Sequence, residues 1–292
     1  MEYIHLAFAA FYQFGDAFAF LVLSAMGLAV IFGMMGIINL AHGEFIMCGA
    51  YVTVATARMG VPLPLSMLCG SLAAGVLGIV LERTIIHRLY HRPLDSIVAT
   101  WGISLILTQG TLIVLGSSMA GISTPLGSFS VGGYSYSTYR MVLLGVAVLV
   151  LIGLYLLFHH TTFGIHSRAT IQAPHMAKAA GIDTGRMYSL TFGLGAALAG
   201  LAGALYAPTI SIVPTLGANF LVESFVTVVV GGADVFLVRP RSGYAGGYQG
   251  VPYRVARAAN GPGGAVNHGH GGHPYSSTRP VWLVTQGAYI NE

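Results

Sequence analysis

Charge is what this chain has least of. Of its 292 residues only 8% are charged, 13 basic and 9 acidic, against about 25% in a soluble globular domain. So few charges cannot cover a soluble body of this size, which excludes a soluble enzyme, a disordered protein and a nucleic-acid binder. The pI of 9.1 rests on a net charge of only +4, a surplus to be read by position rather than as a sum. Lys178 is the only lysine and no G-x-x-x-x-G-K-[ST] segment occurs, so the chain does not bind ATP through a P-loop. There is no H-E-x-x-H helix, since His42-Gly43-Glu44 has the wrong spacing, and no serine sits in a G-x-S-x-G elbow. Hydrolysis within a membrane therefore has no visible machinery. The two cysteines, Cys48 and Cys69, lie in apolar surroundings and read as small packing residues rather than a disulfide or redox pair. The N-terminus lacks the basic region of a cleavable signal, so the first span is expected to serve as its own insertion signal.

What is present is apolar and long. Residues 17–43, 59–81, 96–139, 141–167 and 187–222 carry no charged side chain. Inside these gaps lie apolar runs at 18–38, 65–81, 97–115, 141–158 and 188–206. A bilayer-crossing helix needs about 20 such residues, whereas barrel strands would alternate over segments of about ten, and these runs do not alternate. The expectation is an all-α polytopic membrane protein.

Eight basic residues precede position 238, and six of them (Arg83, Arg88, Arg92, Arg168, Lys178, Arg186) fall in two short loops, 82–95 and 159–186. Basic short loops mark the cytoplasmic side. Two spans separate them, so count and charge agree. The segment 116–139, rich in Gly and Ser, reads as an outside loop. Phe45–Ala57 is short for a span; extending it back to Asn39 gives 19 residues and brings His42 and Glu44 into a first helical turn near the cytoplasmic face. The preceding span, 11–35, then starts outside, and so does the N-terminus. The segment 208–217, with Pro208 and Pro214, reads as an outside or re-entrant loop before a further span from about Phe220.

Three segments carry candidate function. In GLAVIFGMMGIINLAHGEFIMCGAY (27–51), Gly27, Gly33 and Gly36 lead to Asn39, His42, Gly43 and Glu44. Polar groups at membrane depth are costly and mark pathways or helix breaks; equally, Asn39 reads as an N-cap, Glu44 as a first-turn acid favoured by the helix dipole and His42 as a ring bonded to a carbonyl. Both readings stay open. In FGIHSRATIQAPHMAKAAGIDTGR (163–186), Pro174 opens and Gly181 closes a short helix, which is either a docking element or a basic connecting loop. In 191–207, Gly195, Ala199, Gly203 and Ala207 form one column and Ala196, Gly200 and Ala204 the next, a packing face within the bundle or against a second copy.

Residues 238–292 differ abruptly, with 11 of the 40 glycines, five arginines and one acid. Such a composition cannot bury enough apolar area to offset its ordering entropy, so a disordered Gly/Arg/Pro-rich tail is expected. Its His268, His270 and His273 lack an acidic or Cys companion and fixed geometry, and read as low-complexity sequence rather than a metal site.

Together GIINLAHGEFIMCGAY (36–51), LERTIIHRLYHRPLD (81–95) and FGIHSRATIQAPHMAKAAGIDTGRMYSLTFGLGAALAGLAGALYAP (163–208) resemble the permease family of branched-chain amino acid ABC importers over roughly residues 15–237. The family's N-x-A-H-G-E core falls on Asn39, Ala41, His42, Gly43 and Glu44, and its cytoplasmic-loop pattern on Gly164, Arg168, Ala169, Met176, Ala177, Gly181 and Ile182. The resemblance implies that 163–186 holds the coupling helix for ABC ATPase subunits, and that partners include a second permease chain, a periplasmic solute-binding protein and a small polar solute. It implies no cofactor and no catalysis by this chain. HRPLDSIVATWGISLIL (91–107) and FLVESFVTVVVGG (220–232) look more like the family's urea-importing branch, which keeps urea beside branched-chain amino acids as the solute. A stand-alone channel or membrane scaffold is the rival from another class. The expectation is an ABC importer permease of 1–237 with about 6–7 spans, the last incomplete, in the inner membrane. Family members continue with further helices past Gly231-Gly232, so a C-terminal helix or helices would be missing here, and a frameshift or truncation near Leu237 would account for the tail.

Overall fold

The computed structural model describes residues 2–90 and 92–232. The expectations for 238–292 (the tail, its histidines and the frameshift) lie outside these residues. In chain order the elements are α1 (Glu2–Met35), α2 (His42–Arg58), α3 (Leu63–Thr84), a 3-10 turn (Ile86–Leu89), α4 (Pro93–Leu115), β1 (Ser128–Val131), β2 (Tyr134–Ser137), α5 (Thr138–His160), α6 (Thr162–Gln172), α7 (Pro174–Ala179), α8 (Thr184–Tyr206) and α9 (Leu216–Gly231). Among the described residues five helices are long and apolar enough to cross a membrane: His5–Met35 within α1, α3, α4, α5 and α8. This is the all-α polytopic architecture expected. The shorter α2 and α9 have 17 and 16 residues.

Three elements depart from the sequence reading. The segment 116–139 holds a hairpin in which β1 pairs antiparallel with β2. Its turn is Gly132-Gly133, both at positive φ (60° and 85°), the conformation that tight hairpin turns demand. The loop 159–186 contains a full helix, α6, in addition to α7. Helix α3 continues past Leu81 to Thr84 and draws Glu82 into the protein.

The centre of the bundle is α8, packed on α1, α2 and α3. Lipid is as apolar as a side chain, so helices in a membrane associate through close packing, and small residues permit it. A Cβ on Gly195 would lie 2.7 Å from the Gly27 carbonyl of α1, and one on Gly200 would lie 3.1 Å from the Gly70 carbonyl of α3. A Cβ on Gly203 would overlap the Ile46 carbonyl of α2. The columns of small residues on α8 therefore face other helices of the same chain, met by Gly27, Gly49, Gly70 and Gly78 on their partners.

The two ends of the bundle differ. At one end the two basic loops come together, with the Tyr90 and Tyr188 rings 5.0 Å apart. At the other, α1 starts beside the hairpin. Phe8 packs on Tyr136 at 5.2 Å, Tyr12 Oη donates to the Ser137 carbonyl, and Met119 N–H donates to Ile212 O at 2.9 Å. The start of α1 is thus at the end opposite the basic loops.

Candidate functional site

Helix α1 closes on Gly36, at φ +65°, whose N–H reaches Phe32 O at 2.8 Å. The chain then turns back along α1 through 36–41. Helix α2 starts at His42, three residues later than the sequence suggested. The cause is local. Asn39 Oδ1 accepts from Ala41 N–H at 3.0 Å while Asn39 O accepts from His42 N–H at 3.3 Å, so the asparagine holds a turn ahead of the helix instead of capping it. His42 Nε2 donates to the Ser24 carbonyl of α1 at 3.0 Å. Ser24 precedes the end of α1 by 11 residues, roughly 16 Å at helical rise. The first turn of α2 is therefore sunk into the bundle and does not lie near a face, as the extended helix from Asn39 would have placed it.

A second helix start meets it there. Residues 207–215 are irregular, with Ile212 and Pro214 buried, and α9 opens with Gly217 against Gly43. A Cβ on Gly43 would fall on the Gly217 carbonyl, and one on Gly217 would lie 2.7 Å from the Gly43 carbonyl. Only glycine at both positions permits this approach. The segment 208–217 thus leads from the hairpin end, where Ile212 pairs with Met119, to the contact with Gly43. Around the junction Asn39, His42 and Glu44 are at most 3% exposed. Asn39 Nδ2 and His42 Nδ1 find no hydrogen-bond partner among the described residues. Glu44 Oε1 accepts from Ser104 Oγ of α4 at 2.8 Å, and Thr100 Oγ1 accepts from Leu40 N–H at 3.2 Å. Ser96, Thr100 and Ser104, four residues apart, give α4 a polar stripe, of which Thr100 and Ser104 meet Leu40 and Glu44, while its Trp101, Ile106 and Ile113 are exposed. Asn39, His42, Gly43 and Glu44 are thus brought together, at a place where two helix N-termini and three polar side chains share an interior.

The candidate coupling residues form a separate group at the basic end. Gly164 packs on the Phe158 carbonyl, too close for a Cβ, and Arg168 Nη1 donates to the same oxygen at 2.6 Å. Both residues hold the corner between α5 and α6. Pro174 opens α7, and Gly181 ends it at φ +84°, with Ile182 N–H returning to Ala177 O at 3.0 Å. Ala177 is buried and Ala169 and Ile182 half-buried, whereas Met176 is 71% exposed. Helix α7 therefore displays an apolar side chain beside Lys178. The packing residues Gly195, Ala199, Gly203 and Ala207 belong to the bundle core described above.

The sequence reading missed Glu82. Counted there as a loop residue, it is fully buried. Its carboxylate accepts from Tyr90 Oη and Ser189 Oγ, and His87 Nδ1 stands 3.7 Å away. Burial and the adjacent carboxylate push the Tyr90 hydroxyl above its ordinary pKa, so it remains a donor throughout the physiological range. Beside this knot a cavity of about 700 Å³ opens between Tyr90, Tyr188, His175 and Lys178. The only signal in the sequence was an acid directly after the apolar run 65–81; Ser189 lies 107 residues away, beyond any local pattern.

Comparison with known proteins gives a consistent answer. Residues 14–253 match the family described as branched-chain amino acid transport system / permease component. The chain is similar to a probable branched-chain amino acid transport permease protein LivH of Methanocaldococcus jannaschii, at 31% identity over 73% of this chain and 70% of that one. It is similar to the high-affinity branched-chain amino acid transport system permease proteins LivH of Salmonella typhimurium (30%) and BraD of Pseudomonas aeruginosa (28%), each over 72% of this chain and 74% of the other. No solved structure matches.

Proposed function

Because the chain belongs to the family of branched-chain amino acid transport system permease components, we propose that it is the membrane-spanning subunit of an ATP-driven importer that carries branched-chain amino acids inward. The observation that carries this reading is the family match across 14–253, laid over a multi-pass bundle whose α2 and α9 both begin in its interior. Broken helices at the solute path are a recurring transporter device. Asn39, His42 and Glu44 gate that path: the α2 start is held by single hydrogen bonds to α1 and α4, which a small displacement of either helix would break.

The basic end is the cytoplasmic face, following the excess of Lys and Arg in its short loops, and the start of α1 is outside. Helix α7 and its exposed Met176 dock on an ATPase partner. The Glu82 knot ties the α3–α4 connection to α8, next to that docking site, and so passes its motion into the core. A binding protein delivers the solute at the hairpin end, and a second permease chain completes the pore in the inner membrane. No bond of the solute changes; ATP hydrolysis in the partners shifts the balance of inward- and outward-facing states.

The test is uptake of L-leucine into vesicles holding this chain with its companion ATPase, permease and binding protein. Uptake that needs internal-face ATP and is blocked by valine but not by urea supports the proposal. ATP-independent flux through the purified chain would return the channel reading, and competition by urea alone the urea reading of 91–107 and 220–232.

A further inference from the structure

Helix α9 carries a carboxylate where a membrane helix should have none. Its buried stripe is Phe220, Ser224 and Val228, and Phe220 packs on Phe20 of α1 at 4.9 Å. Glu223 points the other way and is exposed, between Val222, Val226 and Val230, which are 56–82% exposed. With Leu21 of α1 and Thr227 these residues line a groove of about 460 Å³. The depth is set by Leu21. It lies five residues, roughly 7.5 Å of helix, past the Asp16–Arg140 ion pair and inside the apolar run 18–38. None of the ion pairs among the described residues involves Glu223. An unpaired carboxylate facing lipid within the apolar part of the bundle is costly, and ionisable groups there face water-filled paths or solutes.

The geometry points to the α1–α9 groove as a solute subsite on the translocation path, with Glu223 receiving the ammonium group of a zwitterionic aliphatic amino acid and the valine wall taking its side chain. The proposal deepens the importer reading and rests on it. Glu44 is a poor candidate for the same role, being buried and already engaged by Ser104. The groove offers what a branched-chain amino acid requires: one anionic contact beside an otherwise apolar surface, open on the outward side of the helix.

The test places a thiol at Val226 (Val226→Cys) in a chain whose Cys48 and Cys69 are replaced by Ala, and measures labelling by a membrane-impermeant maleimide. Labelling is expected, slowed about tenfold by L-leucine but not by 4-methylpentanoate, which has the same side chain and carboxylate without the ammonium group. Glu223→Gln should abolish the protection, and Glu223→Asp should keep part of it. Labelling only by a lipid-soluble reagent, or a Val226→Cys thiol that leucine does not protect, overturns the proposal, as does protection unaffected by Glu223→Gln. Labelling needs only the folded chain in a membrane. A failure of ATP-driven uptake with leucine protection intact would therefore count against the importer reading and not against the site.

Discussion

Two contacts on α2, a turn apart, are made by opposite means. At Ile46 and Gly49 the helix crosses α8 backbone on backbone, against Gly203 and Gly200, with no room for a methyl group. At its start, beside the Gly43–Gly217 approach to α9, the same helix is held to α1 and α4 only by single hydrogen bonds, from His42 to Ser24 and from Ser104 to Glu44, and three polar atoms of Asn39, His42 and Glu44 go without a partner among the described residues. A backbone crossing is lost all at once when a side chain is added, because close-packed interiors have no slack. A hydrogen-bonded helix start gives way one bond at a time, each worth about 0.5–1.5 kcal/mol. The first contact is suited to a part that stays together through a transport cycle, the second to a part that moves.

The comparison is sharpened first at the crossing. Gly203→Ala adds only a methyl group but sets it on the Ile46 carbonyl, and overpacking of this kind costs about 1–3 kcal/mol. Membrane abundance and thermal stability of the detergent-solubilised chain should fall even for this smallest substitution, and Gly203→Leu should fall further; unchanged stability would mean that α2 and α8 do not cross there. A loss of similar size is expected at the basic end. Glu82→Gln replaces one carboxylate acceptor with a donor facing Tyr90 or Ser189, and an unsatisfied buried group costs about 1–3 kcal/mol. Uptake per ATP hydrolysed should drop while insertion persists; wild-type coupling would remove the knot from the account. Ser104→Ala deletes one hydrogen bond to Glu44, about 1 kcal/mol, with normal abundance and modestly slower uptake. Gly145→Ala, on α5 with open space around its Cβ, should change stability by less than about 1 kcal/mol and serves as the control for Gly203.

Helices and their order were legible because bilayer thickness demands long apolar runs, and 18–38, 65–81, 97–115, 141–158 and 188–206 supplied them. The pairing of the basic loops at one end was legible from charge and span count. The α8 packing face could be read as a face, but not its partners, since Gly27, Gly49 and Gly70 belong to three other helices. Asn39 as a turn former, rather than a cap, depends on a side-chain bond to Ala41 N–H that spacing cannot distinguish from a cap. The hairpin at 128–137 had its signal in Gly132-Gly133 between alternating Ser and aromatic residues, which the loop reading of 116–139 passed over. Glu82 and Glu223 were hidden by tertiary context: one follows an apolar run and is buried, the other interrupts one and is exposed.

The central claim is that the sunken start of α2 moves while the α8 crossing does not, and Glu44→Gln tests it most directly. The substitution keeps shape and leaves an acceptor for Ser104 while removing the charge. Leucine uptake is measured per membrane-inserted chain, in the presence of the companion subunits, with thermal stability recorded on the same samples. The account predicts wild-type abundance and stability within about 1 kcal/mol, the range of a helix-dipole contact, together with a loss of uptake of about tenfold or more. Uptake within about twofold of wild type at equal abundance would contradict it, and would leave Glu44 as the first-turn acid of an ordinary helix.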